Sequence, residues 1–181
     1  MFFESGYRGV SVRDLAKVVG IKASSVYSHY ESKEDILKSI YEYYNEQRRL
    51  AAPDINELLD LAESAPLVEI LGKLDYRLPP EAIDAMDKII TIAAREIGID
   101  PISDQFIEDN IFHSTRRQIK QLFDKMIALG RIEPMDTDAL SNLISYYCFG
   151  TAALNASRFK IDLSIWEKGL AFIFSSIKGI D

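Results

Sequence analysis

Apolar residues recur at i, i+3, i+4 and i+7 along most of the chain, as in Ile36, Ile40, Tyr43 and Tyr44 or Ile119, Leu122, Phe123 and Met126. A period-two alternation is sustained nowhere. A helix returns to one face every 3.6 residues, whereas a strand alternates faces, so this pattern confines the chain to an all-α fold. Punctuation locates the helices. Ser11 with Asp14 and Ser32 with Asp35 fit the capping-box spacing, in which side chains satisfy orphan backbone donors. Gly6, Gly20, Gly98 and Gly130 close apolar-periodic runs, and Pro53, Pro66, Pro79, Pro80, Pro101 and Pro134 separate them. The expected helices lie at roughly 12–19, 23–30, 33–51, 54–64, 67–76, 80–97, 102–129, 136–157 and 163–178.

With 181 residues, 48% of them hydrophobic, the chain can bury a core without disulfides or metal. Its one cysteine, Cys148, cannot form an internal disulfide, and no basic segment followed by an apolar stretch opens the sequence, so a cytoplasmic location is expected. The apolar stretch from Ala139 to Leu154 is interrupted by Ser141, Asn142, Ser145 and Gly150 and is too short to span a membrane. The net charge of −7 is unevenly spread. Residues 1–50 carry eight basic and seven acidic groups, and residues 51–181 carry thirteen and twenty-one. A near-neutral head, 1–50, and an acidic body, 51–181, are expected, with Pro53 near the boundary.

Val12 to Tyr30 reads as two short helices joined by a tight turn. Leu15, Val19, Ile21 and Val26 are expected to point inward, Ala16 to let the helices cross closely, and Gly20 to supply the positive φ that ends the first helix. This is helix-turn-helix spacing. The second helix would then expose Lys22, Ala23, Ser24, Ser25, Tyr27, Ser28 and His29, which are small, hydroxylic or hydrogen-bonding, as a major-groove element requires. A helical hairpin with a solvated polar face satisfies the same spacing.

Phe3-Glu4-Ser5-Gly6-Tyr7, Ser11 to Ala16, Ile21 to Tyr30 and Ser32-Lys33-Glu34-Asp35-Ile36-Leu37 together resemble the DNA-binding region of tetracycline-repressor-like (TetR family) transcriptional regulators. The resemblance is dense over residues 2–44 and continues as pattern alone through a helical body of matching size. It implies that Arg13 reaches a base edge or a phosphate, that the Tyr27 hydroxyl and Ser25 meet phosphate, and that Lys33 holds an anion at the start of the next helix. It places His29 at the DNA backbone or in an ordinary packed position, and Tyr30 in the core. Lys22, Ala23, Ser24 and Ser28 would choose the base sequence. Lys22 and Ser24 depart from the family's usual small hydroxyl and glycine, so the operator does not carry over by analogy. The family also has a full helix before the motif, and this chain begins at that helix's last turn, so a first helix truncated from a longer parent is expected.

The resemblance further implies a ligand-binding and dimerisation domain. Helices 136–157 and 163–178 are apolar nearly all round, which requires cover on both sides. Pairing with a second copy into a four-helix interface provides it, as would burial within a monomer. The middle helices would enclose an effector site lined by candidates Tyr76, Met86, Ile90, Phe106, Phe112, His113, Tyr146 and Cys148. No HExxH, GxSxG, P-loop or CxxC pattern occurs, so no catalytic residue, metal site or cofactor is expected. The sequence reading is a dimeric regulator, a repressor released from a palindromic DNA operator by an unknown small molecule. The alternative is a helical ligand-binding or interaction protein that no longer contacts DNA.

Overall fold

The structure, a computed structural model, describes residues 1–51, 54–66, 69–70, 79–155, 163–175 and 177. Every regular element among them is helical. The expected helix 67–76 and the candidate Tyr76 lie mostly or wholly outside the described residues. The helices are α1 (Phe2–Ser5), α2 (Val12–Val19), α3 (Ala23–Tyr27), α4 (Lys33–Ala51), α5 (Ile55–Leu61), α6 (Pro80–Arg95), α7 (Pro101–Ile107), α8 (Arg116–Ala128), α9 (Thr137–Asn155) and α10 (Leu163–Ser175). A π-helical segment, Glu108–Thr115, joins α7 to α8.

Local chemistry sets the helix starts. Ser11 caps α2 with a complete capping box: its hydroxyl accepts from the Asp14 amide, and the Asp14 carboxylate accepts from the Ser11 amide at 2.9 Å. At α4 the box is skewed by one residue. Ser32 Oγ accepts from the Asp35 amide at 3.1 Å, but the Asp35 carboxylate takes the amide of Glu31 rather than that of Ser32. Asp54 and Asp100 cap α5 and α7. Gly20 ends α2 in the left-handed region, φ 77°, where a side chain is strained.

Two cores organise the chain. The first gathers Phe2, Tyr7 and Val10 from the N-terminal turn, Leu37, Tyr41 and Tyr44 from α4, Met86, Ile89, Ile90 and Ala93 from α6, and Phe106 and Ile107 from α7. It therefore runs across the 50/51 position, because one face of α4 is buried against the body. Each large side chain so buried is worth about 1.5–3 kcal/mol. Polar ties reinforce this junction: Arg95 donates to the Phe3 carbonyl and lies over the Phe3 ring, and Arg8 forms an ion pair at 3.4 Å with the buried Glu96. The second core joins Leu58 and Ala62 to Ile119, Leu122, Phe123, Met126 and Ile144, with Leu170, Ile173 and Phe174 of α10 packed on it.

Three expectations are corrected. Val19 and Ile21 are 70% and 47% exposed, whereas Ala16 is buried and Leu15 and Val26 are half-buried. Full burial on α2 is confined to Val12 and Ala16, and α3 is a short helix of five residues. The expected helix 23–30 ends as α-helix at Tyr27 and finishes in turns, where Ser28 Oγ donates to the Ser25 carbonyl at 2.7 Å. The expected continuous helix 102–129 is divided by the π segment. There Asn110 Nδ2 donates to the Phe106 carbonyl, and the Asn110 carbonyl accepts from Arg48 and from Thr115 Oγ1, side-chain bonds that compete with the α ladder.

Candidate nucleic-acid interface

The motif helices present one continuous exposed face. Arg13 opens it from the first turn of α2, and Lys22, Ser24, Ser25, Tyr27, Ser28 and His29 follow through α3 and the turn after it. Ala23 is half-buried, and Tyr27 is 54% exposed with its ring outward. The exposed side chains of this face are thus short hydroxyls, one phenol, one imidazole and two cations. Such a face offers hydrogen-bonding capacity without bulk, which is what a major groove accepts. Tyr30, expected in the core, is half-buried.

Lys33, expected to hold an anion, makes its bonds within the fold. Its ammonium points back into the fold, donating to the Tyr7 carbonyl at 3.1 Å and the Val10 carbonyl at 3.2 Å, and it sits 4.3 Å above the Tyr7 ring. An ammonium has three donors, and two are committed to the turn between α1 and α2. Lys33 is therefore a clamp that fixes where α2 begins, placed behind the face rather than on it. Nothing in the sequence distinguishes the two uses, because both need a cation at the start of α4.

Of the expected effector lining, Met86, Ile90, Phe106 and Phe112 belong to or pack against the first core, and Tyr76 lies outside the described residues. Met86, Ile90 and Phe106 are buried in the first core, where Phe106 stacks on Tyr41 at 4.1 Å and meets Tyr44 edge-on at 5.0 Å. Phe112 is half-buried against Tyr146 and Phe149, Tyr146 is 54% exposed, and His113 is exposed beside Glu108 and Asp109. Cys148 packs on the second core, and burial pushes its thiol up to about 11.

Open space lies instead between α4 and the α7–π segment. A cleft of about 460 Å³ is bordered by Lys38, Tyr41, Asn45, Gln105, Phe106 and Asn110 among others. A second, of about 520 Å³, is bordered by Asn45, Arg48, Arg49, Asp54, Asn110, Ser114 and Gln118. Asn45 and Asn110 border both, so the two clefts flank one bridge between the helices. Of the residues bordering these clefts, the sequence reading singled out Phe106 alone as a candidate. The region's one sequence signal was the Asn110 and Thr115 pair inside an apolar-periodic run, residues whose side chains bond to nearby backbone in place of the helix.

Residues 1–40 match the family described as bacterial regulatory proteins, tetR family. Over 177 residues the chain is 25% identical to the uncharacterized HTH-type transcriptional regulator YerO of Bacillus subtilis, covering 98% of this chain and 52% of that one. It is 29% identical over 102 residues to the HTH-type transcriptional repressor KstR2 of Rhodococcus jostii, covering 54% of this chain and 45% of the relative. The chain thus spans about half the length of these curated relatives. Its fold is similar to that of a TetR-family regulator from a Rhodococcus species, with TM-score 0.67 at 16% identity, covering 97% of this chain and 90% of the other. No helix among the described residues is long and apolar enough to cross a membrane. A capped α2, a short α3 with an outward polar face and the match over residues 1–40 agree, and this N-terminal part of the chain is similar to the tetR family of bacterial regulatory proteins.

Proposed function

We propose that the chain is a DNA-binding transcriptional regulator that acts as a homodimer and leaves its operator when a small molecule binds the body. The observation that carries this reading is the exposed face running from Arg13 through Lys22, Ser24, Ser25, Tyr27, Ser28 and His29, with α2 anchored by its capping box beneath it. Repression is the direction that fits the relative named as a repressor. Dimerisation is supported by Leu143, Tyr146 and Leu154, which share one face of α9 and are 52%, 54% and 47% exposed, together with Phe172 of α10 at 74%. Apolar groups clustered in this way mark a surface covered by a partner. Two copies paired there would carry two recognition helices, matched to half-sites one helical turn of about 34–36 Å apart or a multiple of it.

The test is selection of bound duplexes from a random pool by the purified chain at near-physiological salt, followed by sequencing. An inverted repeat of fixed spacing supports the regulator and the dimer together. Enrichment of nothing, with the chain folded by circular dichroism, counts against the DNA reading and favours a helical ligand-binding protein.

A further inference from the structure

Three rungs of constant sequence offset tie α4 to its neighbour. The Tyr41 hydroxyl lies 2.7 Å from Ser103 Oγ, Tyr44 meets Phe106 edge-on, and Arg48 Nη1 donates to the Asn110 carbonyl at 2.6 Å. The first and last of these pairs are each 62 residues apart in sequence, as two parallel helices in register would give. The third rung, however, enters the π segment. A π turn within an α-helix acts as a surplus residue, and such turns are rare and concentrated at functional positions. Upstream, α7 is fixed by Ser103, Phe106 and Ile107, all buried; downstream, α8 is fixed by Ile119, Leu122, Phe123 and Met126. With both flanks anchored, the surplus residue cannot leave the helix and can only slide along it. A slide of one residue turns the side chains it passes by about 100° about the helix axis.

Arg48 bonds at two points within the wide turn. It is 7% exposed, and besides the bond to the Asn110 carbonyl, its Nη2 donates to Thr115 Oγ1 at 2.8 Å. Thr115 Oγ1 in turn donates to the same Asn110 carbonyl at 3.1 Å. One guanidinium thus spans the first and last parts of the π segment. Between them lies Phe112, packed edge-on to Tyr146 of α9 at 5.4 Å. We infer that Arg48 and the segment Glu108–Thr115 form a register latch, through which repacking around Phe112 is passed to α4, the helix that leads from the helix-turn-helix motif into the body. Arg48 is a positioning residue in this arrangement. The output of the latch rests on the proposed DNA-binding reading; the latch itself does not.

Hydrogen exchange by mass spectrometry on the full chain without DNA, paired with affinity for the selected duplex, tests it. In R48Q, exchange at residues 110–116 accelerates about tenfold, since a bond from a charged donor is lost, and duplex affinity changes at least threefold. T115V moves both readouts in the same direction, R48K recovers part of the loss, and R48Q with T115V changes less than their sum because they act on one carbonyl. Deleting Ser114 removes the surplus residue, and R48Q then leaves exchange at 110–116 unaltered. The latch is overturned if R48Q affects α4 alone and spares 110–116, or if R48Q and T115V add as independent sites. Should the deletion variant not fold, the R48Q and T115V cycle decides. A parent chain that binds no duplex removes the DNA reading, while the exchange results still decide the latch.

Discussion

Lys33 Nζ lies 3.1 Å from the carbonyl oxygen of Tyr7, so the first residue of α4 holds the turn that precedes α2. The bond spans 26 residues of sequence and fixes the motif to the helix behind it. Lys33→Met keeps the stem and removes both carbonyl bonds, and a loss of about 1–3 kcal/mol is expected. Urea denaturation measures it. Any weakening of DNA binding should then accompany the lost stability, with the salt dependence of the remaining affinity unchanged. A shallower salt slope would instead return Lys33 to the phosphate-binding group.

Tyr7 is buried, and its hydroxyl has no hydrogen-bond partner among the described residues. Burial first, then the nearby charge of Glu34, pushes that hydroxyl up to about 12. The folded state therefore disfavours the phenolate, and this contribution is complete below the ordinary tyrosine value of about 10 and declines as pH rises from there toward about 12. Tyr7→Phe should be neutral or slightly stabilising at pH 7 and should flatten the alkaline limb of a melting-temperature profile. A clear loss of stability at pH 7 would show that the hydroxyl is bonded after all.

Gly169 on α10 permits a close approach by Tyr147 of α9: a methyl group added there would lie 2.1 Å from the Tyr147 hydroxyl oxygen and 2.7 Å from Cζ. Gly169→Ala should cost about 1–3 kcal/mol through overpacking, despite the better helix propensity of alanine. Combining it with Tyr147→Ala should recover part of that cost. Thermal melts of the two single variants and the double variant make the comparison.

Val19 and Ala16 lie on the same row of α2 yet differ in burial, 70% exposed against 2%. Val19→Ser should alter stability by no more than about 0.5 kcal/mol, as surface changes do. Ala16→Leu should destabilise by about 1–3 kcal/mol, because α3 crosses there. Chemical denaturation of both decides whether the last turn of α2 is covered.

Arg13→Ala and Lys22→Ala separate base reading from phosphate binding. A cation on phosphate weakens all duplexes alike and lowers the salt slope by about one, whereas a cation on a base edge costs about 1–3 kcal/mol at one position of the site. Tyr27→Phe should weaken binding of every duplex. Binding titrations at several salt concentrations, with the selected duplex and single-base variants, read all three.

Much of this protein is determined by local sequence. The 3.6-residue apolar period, the Ser11 and Asp14 box and the positive φ that Gly20 requires fix α2 and its turn, because each involves residues within a few positions of one another. The outward placement of Lys22, Ser24, Ser25, Tyr27, Ser28 and His29 is legible for the same reason, whereas Ala23, expected to be exposed, is half-buried. Tertiary packing decided the rest. Lys33 turned inward because the Tyr7 and Val10 carbonyls, more than twenty residues away, offered it two acceptors. Phe106 became core because Tyr41 and Tyr44 met it from α4. The helix across 102–129 opens into a π turn whose Asn110 carbonyl is bonded by Arg48, 62 residues distant. Periodicity records which face of a helix is apolar; which side chain reaches across to it depends on how the helices are placed, and only the folded chain sets that.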